Sequence, residues 1–226
     1  MLTPEILFED NEIIVCYKPA GLAVQTKRLG QQDMETWLKN YRARKKEKPY
    51  IGIIHRLDQP VEGAMVFAKT PKSAAGLSAQ VQNRDIGKYY YAVGSRTEAA
   101  ADPKTLPVGQ QGSLTDYLTF DQKSNLGKVS EAKDTQAKKA VLDYQVMGEK
   151  DGLVCFDIHL HTGRHHQIRL QMMNAGYPLL GDTKYGGSPA VQLALCSYRL
   201  CFKHPVSGMG MEFRVEPKNP AFAGLL

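Results

Sequence analysis

The apolar residues of this chain come in short runs cut off by turn formers, never in the roughly eighteen consecutive positions that a membrane-spanning helix needs. That punctuation limits the fold more than any other feature. Glu12 to Tyr17 reads as a strand stopped by Lys18-Pro19-Ala20-Gly21, and Gly63 to Lys69 as a second strand. Ala140 to Val146, Leu153 to Leu160, Leu193 to Phe202 and Met211 to Val215 repeat the pattern, while Lys88 to Val93 turns extended. Helices fall between them. Asp33 is placed to cap one that carries Trp37, Leu38 and Tyr41 on its apolar side, and Thr70-Pro71 opens another with Ala74, Leu77, Ser78 and Val81 inward. Between about Thr97 and Gln136 the chain is rich in Gly, Pro, Lys and Asp around one alternating stretch, Ser113 to Phe120, as expected of a protruding hairpin and loop. Strands in hairpin-like order with few helices predict an α+β fold with a largely antiparallel sheet. A length of 226 residues and 42% hydrophobic content suit one large domain over 1–226 or two small ones.

Charge narrows the partners. The formal net charge is +6 and the isoelectric point lies near 9.0, which favours an anionic partner. Residues 39 to 48, KNYRARKKEK, hold six Lys or Arg against one Glu, so Lys39, Arg42, Arg44, Lys45 and Lys46 are candidate phosphate contacts. Some of these also suit the negative end of the helix dipole there. Cys16, Cys155, Cys196 and Cys201 form no C-x-x-C pair and read as reduced residues of a cytoplasmic protein. The first residues have no secretory pattern, so no membrane partner is expected.

Residues 159 to 170, HLHTGRHHQIRL, hold four of the six histidines and pose a metal question. Thr162 is placed to cap a helix from about Arg164 to Ala175 that ends at Gly176. His165 and Arg169 would then share a side, and any divalent ion would meet Arg164 and Arg169 with no carboxylate in the segment to offset them. No metal is therefore expected. The other segment with chemistry is Ile51 to Lys69, in which Asp58 follows an apolar strand and precedes the Gln59-Pro60 turn signal. Complete phosphate-binding and dinucleotide-binding glycine motifs are absent, as is H-E-x-x-H, and Ser130-Glu131-Ala132-Lys133 has no companion motifs. No cofactor is expected.

In order along the chain, His55-Arg56-Leu57-Asp58, Lys88-Tyr89-Tyr90-Tyr91-Ala92-Val93, Thr162-Gly163-Arg164-His165-His166-Gln167-Ile168-Arg169 and Gly181-Asp182-Thr183-Lys184-Tyr185-Gly186 resemble the RluA family of pseudouridine synthases. Lys18-Pro19-Ala20-Gly21-Leu22 and Leu193 to Leu200 extend the likeness to nearly the whole chain. The resemblance implies one catalytic domain with a central mixed, mainly antiparallel sheet, flanking helices and an RNA-binding cleft. It implies an isomerase that makes pseudouridine in structured ribosomal or transfer RNA without cofactor or metal, as a monomer. Asp58 matches the catalytic aspartate, Tyr90 the active-site tyrosine and Arg169 the arginine that pairs with the aspartate. Arg56 matches the residue that enters the RNA stack and Ile168 the apolar contact to uracil, while Lys88 and Arg164 lie in the motifs without a defined role.

Departures are local. After Asp58 the family usually has Thr-Ser-Gly, whereas Val61-Glu62-Gly63 removes two hydroxyls and adds a carboxylate, which either repels Asp58 or turns outward. His165 replaces a common Thr or Ser, and Gln171 a common His. No N-terminal S4-type RNA-binding domain is expected, because the likeness begins near residue 8. An alternative implied by Val61-Glu62 is an RNA-binding module of the same fold that has lost turnover.

Overall fold

The computed structural model describes residues 2–28, 30–97 and 106–226. Its elements are β1 (Glu5–Glu9), β2 (Ile13–Lys18), α1 (Met34–Arg44), β3 (Gly52–Ile53), β4 (Glu62–Ala68), α2 (Pro71–Asn83), β5 (Gly87–Ser95), β6 (Gln111–Asp121), β7 (Leu126–Ser130), β8 (Lys138–Lys150), β9 (Leu153–Leu160), α3 (Gln167–Asn174), β10 (Leu195–Lys203) and β11 (Gly210–Arg214). The fold is α+β with a mainly antiparallel sheet, as the punctuation of the sequence predicts. Among the described residues no helix is long and apolar enough to cross a membrane.

Contacts gather into two compact units, one of residues 1–87 and 197–216, the other of residues 88–196 and 217–226. In the first, β2 pairs antiparallel with β1 on one side and with β4 on the other, with Ile13 opposite Ala68 and Lys18 opposite Gly63. Every residue of β2 is buried, so both faces of this strand are covered. On one face Ile13, Val15, Ala64, Val66 and Ala68 pack with Leu77 of α2 and with Leu200 and Phe202 of β10. Both helices start where their caps predict: Asp33 accepts from the Thr36 amide and Thr70 from the Ser73 amide.

In the second unit β9 pairs antiparallel with β5 and β8, and β6 with β8 and β7. Leu118, Ala140, Leu170 and Tyr185 form a core cluster there, with Val129 and Met173 against it. The stretch from 97 to 136 supplies β6 and β7; its residues 98–105 lie outside the described part of the chain.

One helix boundary differs from expectation. The third helix begins at Gln167, not Arg164, and its cap position is His166 in the left-handed region at φ 51° with no side-chain cap bond. Thr162 does not cap it. The Thr162 hydroxyl accepts from the Val141 amide at 2.8 Å and donates to Gln167 Oε1 at 2.8 Å, a tertiary use that outcompetes capping. Arg164 and His165 therefore precede the helix, and the i, i+4 relation of His165 and Arg169 does not apply. The end is as expected: Gly176, at φ 85°, follows the last turn and its amide reaches the Met173 carbonyl.

Candidate active site

The first unit holds Asp58 on a braced turn. Just upstream, His55 Nε2 accepts from the Val66 amide at 3.2 Å, Leu57 is buried, and Arg56 between them is exposed. This alternation leaves Asp58 half-buried two residues after an exposed Arg56. The Val61 amide donates to the Asp58 carbonyl at 3.0 Å and closes the turn, while the Gly21 amide donates to the Gln59 carbonyl at 2.8 Å. Gly63 follows at φ 129°; a Cβ there would meet the Ser197 carbonyl oxygen at 2.4 Å, so only glycine fits where the turn enters β4.

Under the turn lies Lys18, fully buried at 0% exposure. Its Nζ donates to the carbonyls of Leu22 at 2.7 Å, Pro19 at 3.0 Å and Gln59 at 3.1 Å, which uses all three ammonium protons. Burial pushes its pKa down to about 7, opposed by the nearby charges of Asp58 and Glu62. Glu62 is neither outward nor loose. It is 2% exposed, and its Oε2 accepts from the Tyr17 hydroxyl at 2.5 Å.

The second unit holds the other expected residues. Tyr90 is buried on β5 opposite Ile158, on the face away from Tyr89 and Tyr91. Ile168 and Arg169 are buried on α3. The Arg169 Nε and one Nη donate to the two carboxylate oxygens of Asp182, each at 2.7 Å, and its guanidinium lies 4.9 Å from the Tyr185 ring centre. The Tyr185 hydroxyl meets His166 Nδ1 at 2.6 Å and accepts from the Gly127 amide at 2.9 Å. Burial, then the Arg169 charge, push the His166 pKa down to about 3, so this imidazole is neutral. Gln167 ties the segment together: its Oε1 accepts from the Arg164 amide at 3.0 Å and its Nε2 donates to the Val141 carbonyl at 3.1 Å. Arg164 Nε donates to the Lys139 carbonyl at 3.0 Å. Lys88 is half-buried near Gly163, and burial lowers its amine below the usual lysine range.

His159 on β9 and His161 just beyond its end acquire a carboxylate that their own segment lacks. Register puts Asp143 of β8 opposite His159, and Asp143, His159 and His161 bring donor atoms within 4.8 Å of one another. Each also has an organic partner: Asp143 accepts from Ser113 and faces His161 Nε2 at 2.6 Å, and His159 stacks on Tyr89 at 4.4 Å.

Comparison with known proteins matches the family described as RNA pseudouridylate synthase across residues 12–174. The chain belongs to the RNA pseudouridylate synthase family. Ribosomal large subunit pseudouridine synthase D of Vibrio cholerae is 33% identical over 227 residues, covering 92% of this chain and 65% of that protein. The protein of the same name from Pseudomonas aeruginosa is 35% identical over 185 residues, covering 81% of this chain and 53% of its own length. The chain thus spans between about half and two thirds of the length of these curated relatives. Two solved structures share its fold. Human RNA pseudouridylate synthase domain containing 4 aligns over 95% of this chain and 89% of its own, with a TM-score of 0.73 at 21% identity. Human RNA pseudouridylate synthase domain containing 1 aligns over 97% of this chain and 86% of its own, with a TM-score of 0.76 at 16% identity.

The basic run of this family member divides by environment. Arg42 is 6% exposed and is spent on the interior, donating to the carbonyls of Tyr50 at 2.5 Å and Lys69 at 3.0 Å and to Glu47 at 3.0 Å. Lys39 pairs with Glu35 at 2.6 Å and Lys45 with Glu9 at 2.8 Å. Arg44 and Lys46 are exposed. The motifs pointed to Asp182 and Tyr185 only as members of Gly181 to Gly186; their hold on Arg169 is a tertiary fact. Lys18 and Glu62 carried no sequence sign of burial, since both residue types are ordinarily exposed.

Proposed function

We propose that this chain isomerises uridine in RNA to pseudouridine with Asp58 as the catalytic carboxylate, its two units acting as one catalytic domain. The observation that carries the reading is the braced turn, which holds a half-buried Asp58 two residues after an exposed Arg56 and just before β4. The reaction breaks the N1–C1′ bond, turns the uracil, joins C5 to C1′, releases the C5 proton and protonates the freed N1, so atoms balance without redox change. An ionised Asp58 serves either by attacking C1′ or by taking the 2′ proton to give a glycal. Both routes need it anionic.

Tyr90 takes the role of the aromatic surface against the uracil near the C5 proton, Ile168 an apolar contact to the base, and Arg169 the role of the guanidinium that supports the carboxylate. Arg56, exposed next to Asp58, enters the space the base leaves. Extruding a base costs a few kcal/mol, and stacking on an aromatic or guanidinium returns roughly 1 to 3 kcal/mol. Lys88, Arg164, Arg44 and Lys46 contribute phosphate attraction, with Lys39 and Lys45 contributing where RNA displaces their carboxylate partners. The names of the bacterial relatives support large-subunit ribosomal RNA as the substrate. We extend the proposal to a monomer acting in the cytoplasm without metal or cofactor, in keeping with the four free cysteines.

The test is tritium release from an unmodified large-subunit ribosomal RNA transcript labelled at C5 of uridine. Wild type releases tritium and Asp58→Ala does not. Full release by Asp58→Ala removes the reading, and RNA binding with no release by wild type favours an inactive binding module instead.

A further inference from the structure

Strand pairing lays a polar row across one face of the second unit. Tyr89 of β5 lies opposite His159 of β9, His159 opposite Asp143 of β8, and Asp143 opposite Ser113 of β6. Side chains alternate along a strand, so His161 returns to the face of His159 two residues on, and its amide still reaches the Val141 carbonyl at 3.2 Å in the same register. Asp143, His159 and His161 thereby bring one donor atom each within 4.8 Å of the others. The Ser113 hydroxyl donates to Asp143 Oδ1, which leaves Oδ2 turned to His161 Nε2 at 2.6 Å, and the Tyr89 ring stacks on the His159 ring at 4.4 Å. A carboxylate oriented by a hydroxyl and an imidazole oriented by a ring are the kind of support that metal ligands need.

We propose that Asp143, His159 and His161 bind one divalent first-row transition-metal ion, with zinc the best fit, which ties the end of β9 to β8. Two imidazoles and one carboxylate suit zinc and its neighbours, whereas magnesium and calcium take oxygen ligands, and water completes the tetrahedron. Donors at about 2.0 to 2.2 Å from zinc stand about 3.4 Å apart. The contact of His161 with Asp143 therefore opens slightly, with the imidazole proton carried on Nδ1 and the Nε2 lone pair turned to the ion. The charges that weigh against a metal in the sequence are engaged elsewhere. Arg169 holds Asp182, and Arg164 Nε donates to the carbonyl of Lys139, four residues or about 13 Å along β8 from Asp143. Beside the ligands is an open pocket of about 430 Å³ to which Gln145 and Asp157 add polar groups and, among the described residues, no lysine or arginine contributes. The Asp143 side chain is 48% exposed, so an ion reaches it from solvent. The ion has no step in the proposed isomerisation. Its place is structural, since His161 runs directly into Thr162, whose bonds to Val141 and Gln167 hold the start of α3.

The test uses the full chain stripped of metal by EDTA and titrated with zinc alone. Calorimetry is expected to show one ion per chain bound at this site, and the side-chain 15N signals of His159 and His161 are expected to shift together as it binds. His159→Ala, His161→Ala and Asp143→Ala are each expected to weaken that binding about a hundredfold or more, and Ser113→Ala about tenfold, as for a group that orients a ligand. His204→Ala, which removes a histidine paired with Asp10 in the first unit, is expected to leave it unchanged. Failure of wild type to bind a stoichiometric ion overturns the proposal. So does binding that the three ligand variants leave intact, the mark of adventitious zinc on other side chains. Should those variants not fold, the wild-type 15N signals decide: shifts at His159 and His161 support the site, and zinc that moves other histidines and not these overturns it. The clamp is read from amide exchange at His161 and Thr162, both of which donate to the Val141 carbonyl. Slower exchange with zinc supports it, and unchanged exchange overturns it. None of these readouts uses RNA or turnover, so they stand whatever the tritium assay shows.

Discussion

Arg169 grips Asp182 with two parallel hydrogen bonds of 2.7 Å inside the second unit, and both residues are almost fully enclosed. The fork geometry matches a carboxylate and fixes the plane of the guanidinium. Asp182→Ala removes the carboxylate that accepts both of these bonds, and is expected to destabilise the protein by about 3 to 5 kcal/mol. Asp182→Asn, which keeps the shape and one acceptor, is expected to cost less. Urea unfolding of the two variants checks the order, and activity of the soluble fraction shows whether the aim of Arg169 matters to turnover.

His166 makes stability depend on pH. Its folded pKa is near 3 and its unfolded value near 6.5, so between these the unfolded chain binds the extra proton. Stability linked to this group is therefore whole above about pH 6.5 and is lost progressively as pH falls towards 3. Thermal unfolding midpoints of wild type are expected to drop from pH 7 to pH 5, and His166→Gln is expected to flatten that drop. Equal slopes in both proteins would contradict the assignment.

Gly63→Ala tests the entry of the Asp58 turn into β4. A left-side φ of 129° and a 2.4 Å approach to the Ser197 carbonyl leave no room for a methyl group. The substitution is expected to cost about 2 to 4 kcal/mol, more than an ordinary glycine replacement, and to reduce tritium release beyond the loss of folded protein. Thermal unfolding together with activity per folded molecule separates the two effects.

The basic run predicts two behaviours from neighbouring residues. Neutralising exposed Arg44 or Lys46 is expected to flatten the salt dependence of RNA affinity by about 0.7 log units per decade for a single strand, with stability unchanged. Arg42→Gln is expected to do the reverse. It strips donors from the Tyr50 and Lys69 carbonyls and should lower stability by about 1 to 3 kcal/mol while leaving the salt slope alone. Filter binding across a salt series, paired with urea unfolding, distinguishes them.

What the sequence made legible was local. Asp33 and Thr70-Pro71 announce helix starts because a cap bond closes within three residues, and both are found where expected. Thr162 looks like the same kind of residue, yet its hydroxyl goes to Val141 and Gln167, partners that only the β8–α3 packing brings near. The first strand, Glu5–Glu9, escaped notice because its short EILFE run lacks a clear alternation and depends on β2 for pairing. The place of Asp58 between an apolar run and a turn was legible, but that place alone suits any turn aspartate; the resemblance of the ordered motifs is what singles it out. Lys18 was not legible, since nothing in Lys18-Pro19-Ala20-Gly21 says that three carbonyls will fold over the ammonium. Glu62 was visible as a departure, but its inward aim needed the strand pair and Tyr17 to exist first.

The most direct test of the account is nucleoside analysis by mass spectrometry of an unmodified large-subunit ribosomal RNA transcript incubated with wild type or with Asp58→Asn. The account predicts pseudouridine at defined positions with wild type and none above background with Asp58→Asn, although both proteins fold and bind the RNA. Equal pseudouridine from the two would contradict it.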